Sequence, residues 1–253
     1  MLKNIGKDSQ LILSFIDIMN KKIKIVIIII FVLIIGYGVF YLTDYYPAQK
    51  TATDYLNGTD DVNVSKVSKG LFLDGKGNDT ALIFYPGAKV EYTSYLPMVS
   101  QLASEGIDCY LVVMPFNIAF FGQNSADEII ANSNYDHYFI AGHSLGGVVA
   151  SSYINKSDNI DGLILLAAYP TQQITKPVLS VYGSNDQLLN IDSYNESKQL
   201  MKNNFTEFVI DGGNHAQFAF YGNQSGDGLA NVTAESQQNQ TVHEILDFIN
   251  SFI

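Results

Sequence analysis

The chain has 253 residues, 47 % of them hydrophobic, which suits one ordinary domain with a large core plus an extension. Fourteen lysines, no arginine and 25 acidic residues give a formal net charge of −11, which excludes a nucleic-acid binder because phosphate contacts need a basic face. The single cysteine, Cys109, excludes an intramolecular disulfide, and neither a metal nor any other cofactor is expected.

The first expected element is a membrane helix. Ile25 to Leu42 is 18 residues without a charge. As a helix it spans about 27 Å, close to the roughly 30 Å hydrocarbon core of a bilayer. Lys21, Lys22 and Lys24 precede it and Asp44 follows. The positive-inside rule therefore puts residues 1–22 in the cytoplasm, a signal anchor over 23–43 and the remainder outside the cell membrane. A cleaved signal peptide, which would give a secreted protein, is the rival. Its apolar region is normally shorter, about 7–15 residues, and Ala48, with bulky Tyr46 two positions earlier, makes a poor cleavage site. Met19-Asn20-Lys21-Lys22 reads as a natural start, making 1–18 an upstream mis-start. The alternative is an interfacial helix using Leu11, Ile12, Phe15 and Ile16. Residues 44–61, polar and rich in Thr and Asp, read as a linker, and 62–253 as the folded domain.

In that domain apolar strand-like runs alternate with helical patterns. Val62 to Asp74 predicts one or two leading strands. Further strands are expected at 81–85, 108–114, 137–142, 163–168, 177–183 and 205–211. Helices are expected at 94–105, 125–131, 145–155, 193–201 and 233–252. The last carries Val242, Ile245, Leu246, Ile249 and Phe252 on one face. The alternation predicts an α/β fold, a mostly parallel sheet with helices on both faces. Only eight residues separate Ala168 from Pro177, so no cap domain is expected there.

One junction carries chemistry. Tyr138-Phe139-Ile140-Ala141 runs into Gly142-His143-Ser144-Leu145-Gly146, which opens a small-residue helix. Strand, Gly-x-Ser-x-Gly, helix is a nucleophile elbow, in which a tight turn lifts the serine to the helix N-terminus. The competing reading is an ordinary glycine-rich turn with a solvated serine. A serine nucleophile needs a base and an orienting acid. Asp186 follows the strand at 177–183 and His215 the strand at 205–211, in the order Ser, acid, His, on the same edge of the sheet. Asp192, read as a helix N-cap, and Asp211 are the other acids considered. His137 and His243 read as structural or solvated, and the His143 ring as pointing away from the serine.

An oxyanion needs two donors. The Leu145 N–H is one, and the Ala88 N–H the other, in Pro86-Gly87-Ala88, with Gly87 letting the backbone approach. Two stretches read as walls of the substrate site: 216–232 with Phe218, just after the base, and 117–122 with Phe120. Core packing of these aromatics is the alternative.

The run Phe84 to Glu91, the elbow, Gly183-Ser184-Asn185-Asp186, Met114-Pro115-Phe116-Asn117 and Gly212 to Phe218 resemble a bacterial dienelactone-hydrolase-like α/β-hydrolase family. The resemblance runs from about residue 60 to the C-terminus. It implies an α/β-hydrolase fold and a Ser144–Asp186–His215 triad, but no particular natural substrate.

The expected function is a serine hydrolase cleaving a small-molecule carboxylic ester or thioester through an acyl-enzyme. An acyltransferase to a cell-surface acceptor and a non-catalytic hydrolase-like binding module compete with it. Carboxylate and phosphate substrates are usually clamped by bidentate Arg, which is absent, and the nearest cation is Lys89. A neutral ester is therefore expected. The oligomeric state has no signal in the sequence.

Overall fold

The computed structural model describes residues 20–77, 79–201 and 205–253. Nearly all of the segment expected to be a mis-start or an interfacial helix thus lies outside the described residues. The chain forms two units, divided after Asp44. In the first, helix α1 spans Lys21–Thr43, and the Asn20 side chain caps it by accepting the Lys22 N–H at 3.0 Å. None of its residues is buried, and Ile, Val, Leu and Phe occupy every side of it. A helix apolar all round needs an apolar surrounding. It is long and apolar enough to span a membrane or to serve as a signal sequence.

The second unit, Tyr45–Ile253, is built on an eight-stranded sheet. The strands are β1 Asn63–Val67, β2 Gly70–Asp74, β3 Thr80–Tyr85, β4 Asp108–Val112, β5 His137–His143, β6 Gly162–Leu166, β7 Val178–Gly183 and β8 Phe205–Ile210. Their order is β1-β2-β4-β3-β5-β6-β7-β8. β2 runs antiparallel to β1 and β4, and all other pairs are parallel. Between β3 and β5 the register pairs Tyr85 with Gly142, so the loop after β3 emerges beside the elbow.

The inner strands are buried on both faces, which is why they read as continuous apolar runs. On one face Leu82, Phe84, Phe139 and Ile164 meet helices α3 (Leu96–Ser104) and α7 (Ala234–Asn250). On the other, Ile83, Ile140, Leu163 and Leu165 meet Val149, Tyr153 and Ile154 of helix α5 (Leu145–Ile154), next to helix α4 (Ser125–Ala131). Helix α6, Ile191–Ser197, starts from Asn190, whose side chain accepts the Ser193 N–H. Asn190 thus holds the capping place expected of Asp192. The link between β6 and β7 carries no helix, in keeping with a site without a cap domain.

The domain boundary differs from the sequence expectation. Residues 45–61 are part of the folded unit, not a free linker. Tyr46 pairs with Val90 in a parallel bridge, helix α2 (Lys50–Thr53) buries Ala52 completely, and Tyr46 and Tyr55 pack on the core. Those three apolar anchors are hidden in the sequence by their polar neighbours.

Candidate active site

The elbow has the strained backbone that its motif requires. Ser144 sits at φ 52° and ψ −123°, between β5 and α5, and its N–H donates to the Leu166 carbonyl at 2.9 Å. A non-glycine residue there costs on the order of 1–3 kcal/mol, so the surroundings must impose it. They do so by close packing. A Cβ on Gly142 would collide with the Gly146 backbone, and one on Gly146 with the carbonyls of Tyr85 and Pro86. Both glycines are therefore steric requirements, and they press the first turn of α5 against the loop after β3.

That pressure brings two N–H groups towards the serine. Leu145 is the first residue of α5, where N–H groups lack an intrahelical acceptor. Across from it the Gly87 N–H donates to the Tyr95 hydroxyl at 3.0 Å, and the Lys89 N–H to the Asn117 carbonyl at 2.7 Å. With Pro86 lacking an N–H and both neighbours committed, Ala88 is the loop's open donor. Gly87 itself is structural: a Cβ there would reach the His143 ring and the Tyr95 hydroxyl.

His215 and Asp186 meet as the order of strands requires. His215 Nδ1 lies 2.9 Å from Asp186 Oδ2, with side chains only 4 % and 1 % exposed. The other carboxylate oxygen accepts the N–H groups of Leu188 and Leu189, both at 2.8 Å. Those bonds hold the carboxylate oriented towards the histidine. The pairing places a proton on Nδ1 and leaves Nε2 as the basic nitrogen. Asp211 accepts only from Ser184, at 3.5 Å, and Asp192 lies in the first turn of α6, so neither rival acid meets the histidine.

Ser144 and His215 line one cleft of about 230 Å³, with Leu145, Val148, Ala167, Ala168, Tyr169, Leu188, Leu189 and Asn190. No Lys, Asp or Glu side chain lines it. Phe120 and Phe218, both expected at the substrate site, are absent from this lining. Phe120 is exposed and borders a separate recess with Lys69 and Glu128. Phe218 is fully buried against the His143 ring, centroids 5.4 Å apart. The expected walls are replaced by the end of β6 and the loop before α6, which approach the serine because no cap keeps them away.

His143 has partners that the sequence did not announce. Its ring lies against that of His215, with centroids 4.6 Å apart. The Tyr95 hydroxyl accepts the Gly87 N–H and is hydrogen-bonded to His143 Nδ1, at 2.8 Å. His143 Nε2 is buried and has no hydrogen-bond partner among the described residues. Burial first, and the neighbouring His215 second, push the His143 pKa well below the usual range, so the ring stays neutral. Sequence reasoning missed Tyr95, because its partners are 8 and 48 positions away.

The stretch after His215 is tied down by side-chain hydrogen bonds. Asp227 accepts the Ala216 N–H at 2.9 Å, Asn214 donates to the Gly228 carbonyl at 2.8 Å, and Gln237 of α7 exchanges two bonds with the Asn214 backbone.

A family model for the alpha/beta hydrolase family matches residues 81–239. The chain belongs to the alpha/beta hydrolase family. This hydrolase has no match among curated proteins. Among solved structures it resembles alpha/beta hydrolase domain-containing protein 10 from mouse, at 12 % identity and TM-score 0.54, over 76 % of this chain and 99 % of that one. It also resembles a ferulic acid esterase from Streptomyces cinnamoneus, at 15 % identity and TM-score 0.57, over 70 % and 68 % of the two chains. Est1E from Butyrivibrio proteoclasticus aligns at 14 % identity and TM-score 0.51, over 76 % and 100 %. At these identities the likeness is one of fold.

Proposed function

We propose that this hydrolase cleaves neutral carboxylic esters or thioesters through an acyl-enzyme on Ser144. The observation that carries the reading is the buried His215–Asp186 pair sharing one cleft with a serine at φ 52°. His215 Nε2 takes the hydroxyl proton as Ser144 Oγ attacks the acyl carbonyl. Asp186 holds the imidazole tautomer and stabilises the cation. The N–H groups of Leu145 and Ala88 receive the developing oxyanion, a contribution of about 10²–10³ in rate per donor. His215 then protonates the leaving group and activates water to release the acid. The lining without Lys or Arg supports a neutral substrate. The motifs around Phe84–Glu91 and Gly212–Phe218 support a place near the dienelactone-hydrolase-like branch, with a different charge on the substrate. The three lysines in the first turn of α1 support a membrane anchor with the folded unit outside.

Labelling with a fluorophosphonate, followed by peptide mapping, tests the chemistry: the adduct is expected on Ser144, and none on Ser144→Ala. A panel of esters and thioesters of rising acyl length is then expected to show turnover that Ser144→Ala loses by about 10⁶-fold. Unlabelled Ser144 in folded protein would overturn the reading.

A further inference from the structure

The 115–122 loop leaves the C-terminal end of β4, on the edge of the sheet that carries Ser144 and two strands away from β5. Phe116, Phe120 and Phe121 are 57–60 % exposed there, and the Phe116 and Phe121 rings pack edge to face, 5.9 Å apart. The chain from Cys109 to Ala126 carries no charge at all. A soluble surface rarely combines clustered exposed aromatics with a charge-free run unless something apolar covers them.

The place where the chain enters the folded unit says what covers them. Tyr46 bonds to both sides of Val90: its N–H donates to the Lys89 carbonyl at 2.7 Å, and its carbonyl accepts the Glu91 N–H at 3.0 Å. The Ala48 N–H donates to the Glu91 carboxylate, and Gln49 to the Phe220 carbonyl. Lys89 in turn donates to Asn117 of the aromatic loop. The entry point is thus pinned to the oxyanion loop, beside the exposed phenylalanines. Apolar helix α1 ends at Thr43, and the three steps of chain to Tyr46 reach roughly 10 Å at full extension.

We propose that the face bearing Phe116, Phe120 and Phe121 seats in the lipid interface of the membrane that holds α1, so that the Ser144 cleft acts on neutral esters dissolved in that membrane. This rests on the anchor reading above. The folded unit carries 22 acidic residues against nine lysines, a net of −13, so the attachment is apolar and does not depend on anionic lipid.

Full-length protein in phosphatidylcholine vesicles tests this. Phe121→Cys takes an environment-sensitive fluorophore, because the native Cys109 is buried and its thiol pushed up by burial. Brominated phosphatidylcholine is expected to remove most of the emission from position 121. It should leave the emission from Asn159→Cys, before β6 on the opposite edge, unchanged. Phe116→Asn with Phe121→Ser is expected to lose about tenfold in rate on a long-chain 4-nitrophenyl ester held in the vesicles. Turnover of water-soluble 4-nitrophenyl acetate should stay within about twofold. Recovery of the chain in the aqueous phase after alkaline extraction would remove the anchor reading and the proposal together. A chain retained in vesicles whose probe at 121 is unquenched overturns the proposal alone. A probe that is blue-shifted yet unquenched overturns it in favour of a second copy on that face.

Discussion

Two irregular stretches border the same edge of the sheet, both rich in phenylalanine, and they are put together in opposite ways. The stretch after His215 turns its aromatics inward: Phe218 is fully buried behind His143, and Asn214, Asp227 and Gln237 fix the backbone around the histidine. The stretch after β4 turns its aromatics outward, and bonds from the Lys89 N–H to the Asn117 carbonyl and from the Tyr85 hydroxyl to the Gln123 carbonyl tie it to β3 and the loop that follows. Loop length and aromatic content are the same signal in both. What separates them is whether polar side chains are present to satisfy the backbone of a loop drawn into the core. The first has Asn214 and Asp227; the second, between Cys109 and Ala126, has no charged residue.

The contrast can be broken at its strongest point. His215→Ala is expected to lower kcat for an ester by about 10⁶-fold, roughly 8 kcal/mol, with little change in melting temperature. Steady-state kinetics against 4-nitrophenyl acetate checks it, and a loss below tenfold would mean that the fixed loop supports no catalysis. Asp227→Ala strips the buried Ala216 N–H of its acceptor and should cost about 1–3 kcal/mol in denaturant stability, with kcat falling further than KM changes. The neutral His143 makes a pH prediction. Its folded pKa lies below its unfolded value, so the unfolded chain takes up the extra proton. Stability is full above the unfolded pKa of about 6.5 and falls as pH drops below it, by up to about 1.4 kcal/mol per pH unit. Urea midpoints at pH 7 and pH 5 should show this slope in the wild type and lose it in His143→Gln. At the small end, Phe116→Asn with Phe121→Ser should change stability by no more than about 0.5 kcal/mol, since both side chains are more than half exposed in the folded unit. Asn tolerates the positive φ of 57° at position 116.

The fold and the places of Ser144, Asp186 and His215 along it were legible because each is written in local sequence. The strands announce themselves as apolar runs, and Ser144, Asp186 and His215 each follow one directly. The β6–β7 link was legible by its length alone. The cleft lining was not, because Leu188, Leu189 and Tyr169 look like any loop residues until the sheet order brings them to the serine. Tyr95 was hidden inside an amphipathic pattern that already explained it. Its hydroxyl becomes informative only when β3 and β5 lie side by side and Gly87 and His143 converge on it. The entry segment at Tyr46 was misread for the same reason, since Val90 lies 44 positions ahead.

The backbone of Ser144 has a consequence for how this protein can be improved. Its φ of 52° would be comfortable for glycine and is uncomfortable for serine. With Ser144 as the proposed nucleophile, robustness and turnover conflict at one residue. Selection for heat resistance alone would drift towards replacing the proposed nucleophile. Any programme that evolves this scaffold for stability has to hold position 144 fixed, and look for its gains in the helices beneath.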